Sequence, residues 1–256
     1  MPRRFDAGAF VVQSDERRWF KGADGMNFRW LGPLALLGVL VIGDQIRINR
    51  PGHKYRLTVE VETPEGVKSA SGTMAVHPDR SYSRGGRTRA KGDAVWVDLG
   101  GGKNLLALLA HVDNKSIDLD DMNYVALRAY KAAGRNVSFN EMSRMTGAVP
   151  VTGALIPVLV TLTDPNDPGT AHAVRPDDLE AGLGRGFHLH GISAEVVPNG
   201  VWPLDFGGRL GEPVTRGIEA KLPWWNRADN PAAIALKAAG VPGGAAIDAR
   251  EAFTRK

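Results

Sequence analysis

The chain has 256 residues, 43% hydrophobic and 23% charged, enough apolar material for one sizeable core with room for a small subdomain. Its 32 basic and 28 acidic residues leave a formal charge of +4, and the basic residues are dispersed, with no long cationic run interleaved with aromatics, which argues against nucleic acid as a partner. There is no cysteine, which excludes disulfides, a thiol nucleophile, cysteine-ligated zinc or iron–sulfur sites and a lipid-modified cysteine.

The first informative element is the uncharged run Trp30 to Gly43, WLGPLALLGVLVIG, between Arg29 and Asp44. About 14 residues make roughly 21 Å of helix against a hydrocarbon core of roughly 30 Å, short for a full span but a good length for the apolar part of a secretory signal. Met26, with Arg29 behind it, offers an alternative start with a small positive n-region, and Val41-Ile42-Gly43 resembles a cleavage site ahead of Asp44. Uncut, the same run would serve as a membrane anchor. Flanking charge does not orient it, because Arg17, Arg18, Lys21 and Arg29 on one side balance Arg47, Arg50, Lys54 and Arg56 on the other. The competing expectation is a segment buried in the core of a cytoplasmic protein.

Tyr55 to Glu62 alternates apolar and polar residues, Thr63-Pro64-Glu65-Gly66 supplies turn chemistry, and Val67 to Val76 returns, which predicts a β-hairpin. A polar loop over Pro78 to Gly86 leads to a strand at Ala94 to Leu99. Gly100-Gly101-Gly102-Lys103-Asn104 breaks it, and Leu105 to Ala110 (LLALLA) reads equally as a buried strand or a short helix. Met122, Val125, Ala126, Ala129 and Ala133 fall at helical spacing, with Asp120 and Asp121 in the first turn and Gly134 at the end, predicting a helix over 119–133. Ser138 and Glu141 match a capping box.

Leu155 to Leu162 reads as a strand with Pro157 at an edge or near its start, Asp164 to Gly169 as a turn, and Thr170 to Val174 as the returning strand. Pro176 followed by Asp177 and Asp178 suggests a helical turn ending near Gly184, and Phe187 to Val197 is a further strand. Asn230, Pro231 and Gly240 bracket a last short helix, after which the tail is expected to be loose.

Residues 155–225, with VLVTLTDPNDPGTAHAVRPDDLEAGLGRGF, ISAEVV and EPVTRGIEAKLPWW, resemble a family of uncharacterised bacterial envelope proteins that carry an N-terminal signal or anchor; RLTVEVETPEGVKSASGTMAV and RAKGDAVWVDLGGGKNLLALL resemble it too. The resemblance implies location and extent, covering most of residues 55–225, and no mechanism. The extension before Met26 departs from that family and points to a misassigned start.

Several constellations invite a catalytic reading. Gly100-Gly101-Gly102-Lys103 lacks the first glycine of a phosphate-binding loop, Val97 standing there, and Asn104 replaces the Ser or Thr after the lysine, so a glycine-rich hairpin turn is expected. His188 and His190 alternate on one strand face, and His172 with Asp164 would complete a metal or carboxylate site, although no third ligand sits at a defined spacing. The Asp164 to Asp167 turn lacks the spaced oxygen ligands and terminal glutamate of a calcium loop, Asp177-Asp178 reads as helix-start charge, and neither G-x-S-x-G nor H-E-x-x-H occurs. Trp224-Trp225 is expected to bury at least one ring.

The sequence therefore predicts an α+β protein, mainly antiparallel β-sheet with a few short helices. Its parts are an N-terminal extension and signal or anchor (1–43), a β-rich extracytoplasmic domain (44–228) and a C-terminal helix and tail (229–256). The expected role is a non-enzymatic binding or structural one, periplasmic or anchored in the inner membrane, with an envelope protein or cell-wall ligand as partner, no cofactor and no catalytic or metal residue assigned. The rival is a hydrolase built around Asp164, His172, His188 and His190.

Overall fold

The computed structural model describes residues 31–80, 87–113, 116–200, 211–243 and 248–256. The expected n-region at Met26 to Arg29 and the tip of the Pro78 to Gly86 loop lie outside them. The chain separates into two units, residues 1–45 and 46–256.

In the first unit and running past its boundary is helix α1 (Leu31–Asn49). Its apolar part ends at Gly43, and Asp44 and Arg47 follow in the last turns. Among the described residues no helix is long and apolar enough to cross a membrane.

The second unit is mostly antiparallel β. The described residues form a six-stranded sheet from β1 (His53–Thr63), β2 (Gly66–His77), β3 (Arg89–Asp93), β8 (Val149–Pro150), β11 (His188–Val197) and β12 (Thr254–Arg255), in the order β12-β3-β2-β1-β11-β8. A four-stranded sheet, ordered β10-β9-β5-β4, comprises β4 (Val95–Gly100), β5 (Lys103–Ala107), β9 (Leu159–Leu162) and β10 (Ala171–Val174), and β6 (His111–Asp113) pairs with β7 (Ser116–Asp118). The expected hairpin is β1 and β2, and the glycine-rich break is the β4–β5 turn. Positive φ at Gly101 (58°) and Gly102 (78°) is what a two-residue hairpin loop of this hand demands.

The ambiguity of LLALLA resolves as extended chain. Leu105, Ala107 and Leu109 enter a core shared with Tyr55, Leu57, Val59 and Val61 of the larger sheet, while Leu106, Leu108 and Ala110 enter a second core with Trp224, Trp225, Leu236 and Phe253. A strand covered on both faces has no polar side, so the period-2 signature vanishes. Beyond β5 the pairing continues, with the Leu108 N–H donating to the Val158 carbonyl (2.9 Å) and the Val158 N–H to Ala110 (2.8 Å).

Short helices lie over these layers: α2 (Val125–Ala132), α3 (Glu180–Leu183), α4 (Ile218–Lys221) and α5 (Pro231–Ala238). The helix expected over 119–133 divides, because Asp120–Asn123 forms a 3₁₀ turn and α-geometry begins only at Val125. Met122, Val125, Ala126 and Ala129 are buried as their spacing required, and Gly134 (φ 77°) ends the run. Pro176 is not a helix start; Arg175 and Asp178 close a turn and α3 begins at Glu180, with Asp178 accepting from the Ala181 N–H. The strand expected from Leu155 is shorter, because Gly153–Leu155 forms a 3₁₀ turn and Pro157, which has no N–H to pair, precedes β9.

Polar side chains complete the ladders where strands stop short. Asn104 faces Leu162 across β5 and β9, its Nδ2 donating to the Leu162 carbonyl (2.8 Å) and its Oδ1 accepting from the Leu162 N–H (2.9 Å). Past the end of β3, Thr215 takes over the β2 edge: its N–H donates to the Thr73 carbonyl (2.9 Å) and its Oγ1 accepts from the Thr73 N–H (2.8 Å). Thr215 leaves less unpaired β2 edge for another chain to add to.

The tail, expected to be loose, is held firmly. The Leu109 N–H donates to the Ala252 carbonyl (2.7 Å) and the Ala94 N–H to Phe253 (2.8 Å), while Thr254 and Arg255 pair with Asp93 and Gly92. One segment thus bonds to both sheets at the point where the chain passes from β3 to β4. The Phe253 ring meets Trp224 edge-on (5.9 Å, 85°) and Trp225 at 6.0 Å. Both tryptophans are buried, so the tail belongs to the second core.

Two substitutions test this construction by urea unfolding of the full chain. Phe253→Ala should cost about 3–5 kcal/mol, the range for an aromatic removed from a packed core. Asn104→Ala should cost about 2–4 kcal/mol, because both backbone groups of the buried Leu162 lose their partner. Losses under about 1 kcal/mol would mean that neither residue holds the layers together.

Candidate functional site

A cleft of about 490 Å³ opens beside the β3 edge, within the volume range of small-ligand sites. Its walls come from β3 and the residues before it, the 119–123 turn, the chain around Trp225 and Asn226, and the tail from Asp248 to Lys256. Strand alternation points Ala90 into the first core and leaves Arg89 and Lys91 on the cleft side, with Arg87 two residues before.

Asn123 fixes this wall. It is buried, its Oδ1 accepting from the Ala90 N–H (2.6 Å) and its Nδ2 donating to the Thr88 carbonyl (2.8 Å), so a side-chain amide pairs the strand edge that β12 does not reach. Asp93 anchors the other end of β3: buried, it accepts from Thr254 Oγ1 (2.6 Å) and from the Ile218 N–H at the start of α4 (3.0 Å).

Across the cleft the cations are engaged within the protein. Arg255 donates to the carbonyls of Leu109 and Leu119, and burial pushes its guanidinium below the ordinary arginine range, partly offset by Tyr55, Glu251, Asp120 and Asp118. Arg250 donates to the Trp225 carbonyl (3.2 Å) and lies 5.4 Å over its ring. Lys256 pairs with Glu219 at 2.9 Å.

The four residues of the rival catalytic reading stand elsewhere. His190 Nδ1 lies 2.9 Å from Glu62 Oε1, and that hydrogen bond raises the imidazole above its ordinary range. His188 approaches Glu180 at 3.6 Å. His172 is exposed on β10, in the other sheet, and Asp164 Oδ1 accepts from Asn166 inside its own turn (2.9 Å). Among the described residues no group of three or more His, Cys, Asp or Glu is arranged to hold a metal ion. Lys103 donates to the Leu183 carbonyl and sits 4.9 Å over Phe187 rather than facing open space.

Sequence reading missed the cleft because its parts lie far apart in the chain. The legible signal was the alternation of Arg87, Arg89 and Lys91 in RTRAK, which reads as ordinary surface charge until the opposite wall is known. Comparison of the chain with protein-family models, curated proteins and solved structures finds no match.

A second buried group sets a pH response. His53 is fully buried, edge-on to Phe139 (5.2 Å, 73°), with no hydrogen-bond partner for either ring nitrogen among the described residues. Burial lowers it from 6.5 to about 4. The unfolded chain therefore takes up this proton first as pH falls: the contribution is intact above 6.5 and is lost between 6.5 and about 4, amounting to roughly 3 kcal/mol. Urea midpoints should fall over that interval, and His53→Leu should make the decline distinctly shallower; an unchanged slope in the variant would assign the response to other groups.

Proposed function

We propose that this chain is a cell-envelope protein whose β-rich body is a non-enzymatic binding or structural domain outside the cytoplasm, delivered or held there by the apolar stretch 30–43. The observation that carries the reading is the exposure of α1. Taken by itself among the described residues, this helix leaves Leu34, Leu36, Leu37, Val39, Leu40, Val41 and Ile42 each 54–66% exposed. A fully buried aliphatic side chain of this size gains about 1.5–3 kcal/mol, so seven left in water forgo a sum comparable with the whole stability of a domain. Such a helix calls for an apolar environment, and export machinery or lipid supplies one.

The span of about 14 uncharged residues, roughly 21 Å, suits a cleaved signal or a shallow anchor better than a full crossing. A role in binding draws support from the cleft, whose walls are fixed by buried side-chain hydrogen bonds from Asn123 and Asp93 and are thus formed before a ligand arrives.

Fractionation of cells making the protein with a C-terminal tag, read together with intact mass, tests the location. A soluble extracytoplasmic species beginning at Asp44, or an uncut membrane-bound one, is the expected result. A full-length soluble cytoplasmic product would overturn the reading.

A further inference from the structure

The β3 wall of the cleft carries a row of cations that form no ion pair among the described residues. Arg89 and Lys91 alternate along β3, so their side chains leave the same face about 6.6 Å apart, and Arg87 lines the same cleft two residues before. Asn123 bonds the backbone on both sides of Arg89 and so holds that side chain on the cleft wall. Among the described residues none of the three pairs with a carboxylate; of the four carboxylates that also line the cleft, Asp120, Glu219, Asp248 and Glu251, Glu219 holds Lys256, and the six lining cations outnumber them. Three like charges facing one concave space repel each other, and an anion placed among them relieves that repulsion.

We infer that the cleft binds a small ligand bearing two or more oxyanion groups, phosphate or carboxylate, seated on Arg87, Arg89 and Lys91. This deepens the binding role proposed above and rests on it. Guanidinium groups present planar, paired donors to such oxygens, and the spacing lets two anionic groups of one molecule each meet a cation. The volume limits the ligand to a small molecule or the headgroup of a larger one.

Calorimetric titration of the full chain in a neutral detergent, with inorganic diphosphate, citrate and orthophosphate at fixed ionic strength, tests the assignment. Saturable one-to-one binding is expected, with diphosphate or citrate about tenfold or more tighter than orthophosphate. The variant Arg89→Gln/Lys91→Gln should lose about tenfold or more, and Arg185→Gln/Lys237→Gln, the same charge change at exposed positions outside the cleft, less than about twofold. Should the first variant fail to fold, Arg87→Gln, at an exposed position ahead of β3, must still weaken binding about threefold. Equal losses in cleft and control variants, or no saturation at millimolar ligand, would overturn the inference.

Vesicles of phosphatidylcholine with and without phosphatidic acid separate the two sources of the ligand. A preference for phosphatidic acid that the cleft variant loses assigns a lipid headgroup. A preference that the variant keeps, while it loses diphosphate, assigns a free ligand. Orthophosphate released from diphosphate by the cleft would instead sink the non-enzymatic reading and leave the ligand class standing, whereas absent binding with a correctly exported protein would do the reverse.

Discussion

The β4-β5-β9-β10 sheet buries apolar side chains on both faces, and among the described residues the larger sheet, the short helices and the C-terminal segment cover it. One face packs on the larger sheet through Val95, Val97, Leu105 and Ala107. The other is closed by Trp224, Trp225, α5 and Phe253. Neither cover suffices alone, because a sheet exposing Leu106, Leu108, Val160 and Leu162 would leave a large apolar patch in water. The C-terminal residues are drawn into the structure for that reason.

Two layers of sheet and one of short helices bring many strand ends together, and each end leaves backbone groups that must be paired. The protein meets part of this need with side chains. Asn104, Asn123 and Thr215 supply hydrogen bonds in the positions a further strand would occupy. An amide or hydroxyl serves because it offers both donor and acceptor at short reach. At Asn123 the same device holds the strand that carries Arg89 and Lys91, so the wall of the cleft follows from the way the β3 edge is closed.

The cleft lies where the β3 edge, the 119–123 turn and the C-terminal tail meet. Its chemistry is divided between cations spent on structure and cations that form no ion pair among the described residues. Arg255 belongs to the first kind, since its buried guanidinium joins Leu109 and Leu119, residues of separate segments. Arg87, Arg89 and Lys91 belong to the second. Arg89 and Lys91 stand on strand positions held by Asn123, so a ligand seated on them as proposed would require little reorganisation there.

Local chemistry by itself determined the hairpin of β1 and β2, the glycine turn after β4, the return from β9 to β10, the long β11 and the bracket of Asn230 and Gly240 around α5. In each the deciding information lies within a few residues: alternation, a turn residue with its φ, a cap. It also fixed the α+β class and the prominence of the apolar stretch 30–43. Only tertiary structure decided that LLALLA is a strand, because burial on two faces erases the period that separates strand from helix. The same holds for β3, whose sequence RAKGD carries no apolar alternation and which forms because β2, β12 and Asn123 pair with its backbone. It holds for the tail, where nothing in Phe253 to Lys256 announces a strand until two sheets present unpaired groups to it. The cleft is likewise a product of the fold, since its walls are contributed by segments spread from Arg87 to Lys256, and proximity of that kind is created by packing rather than written in spacing.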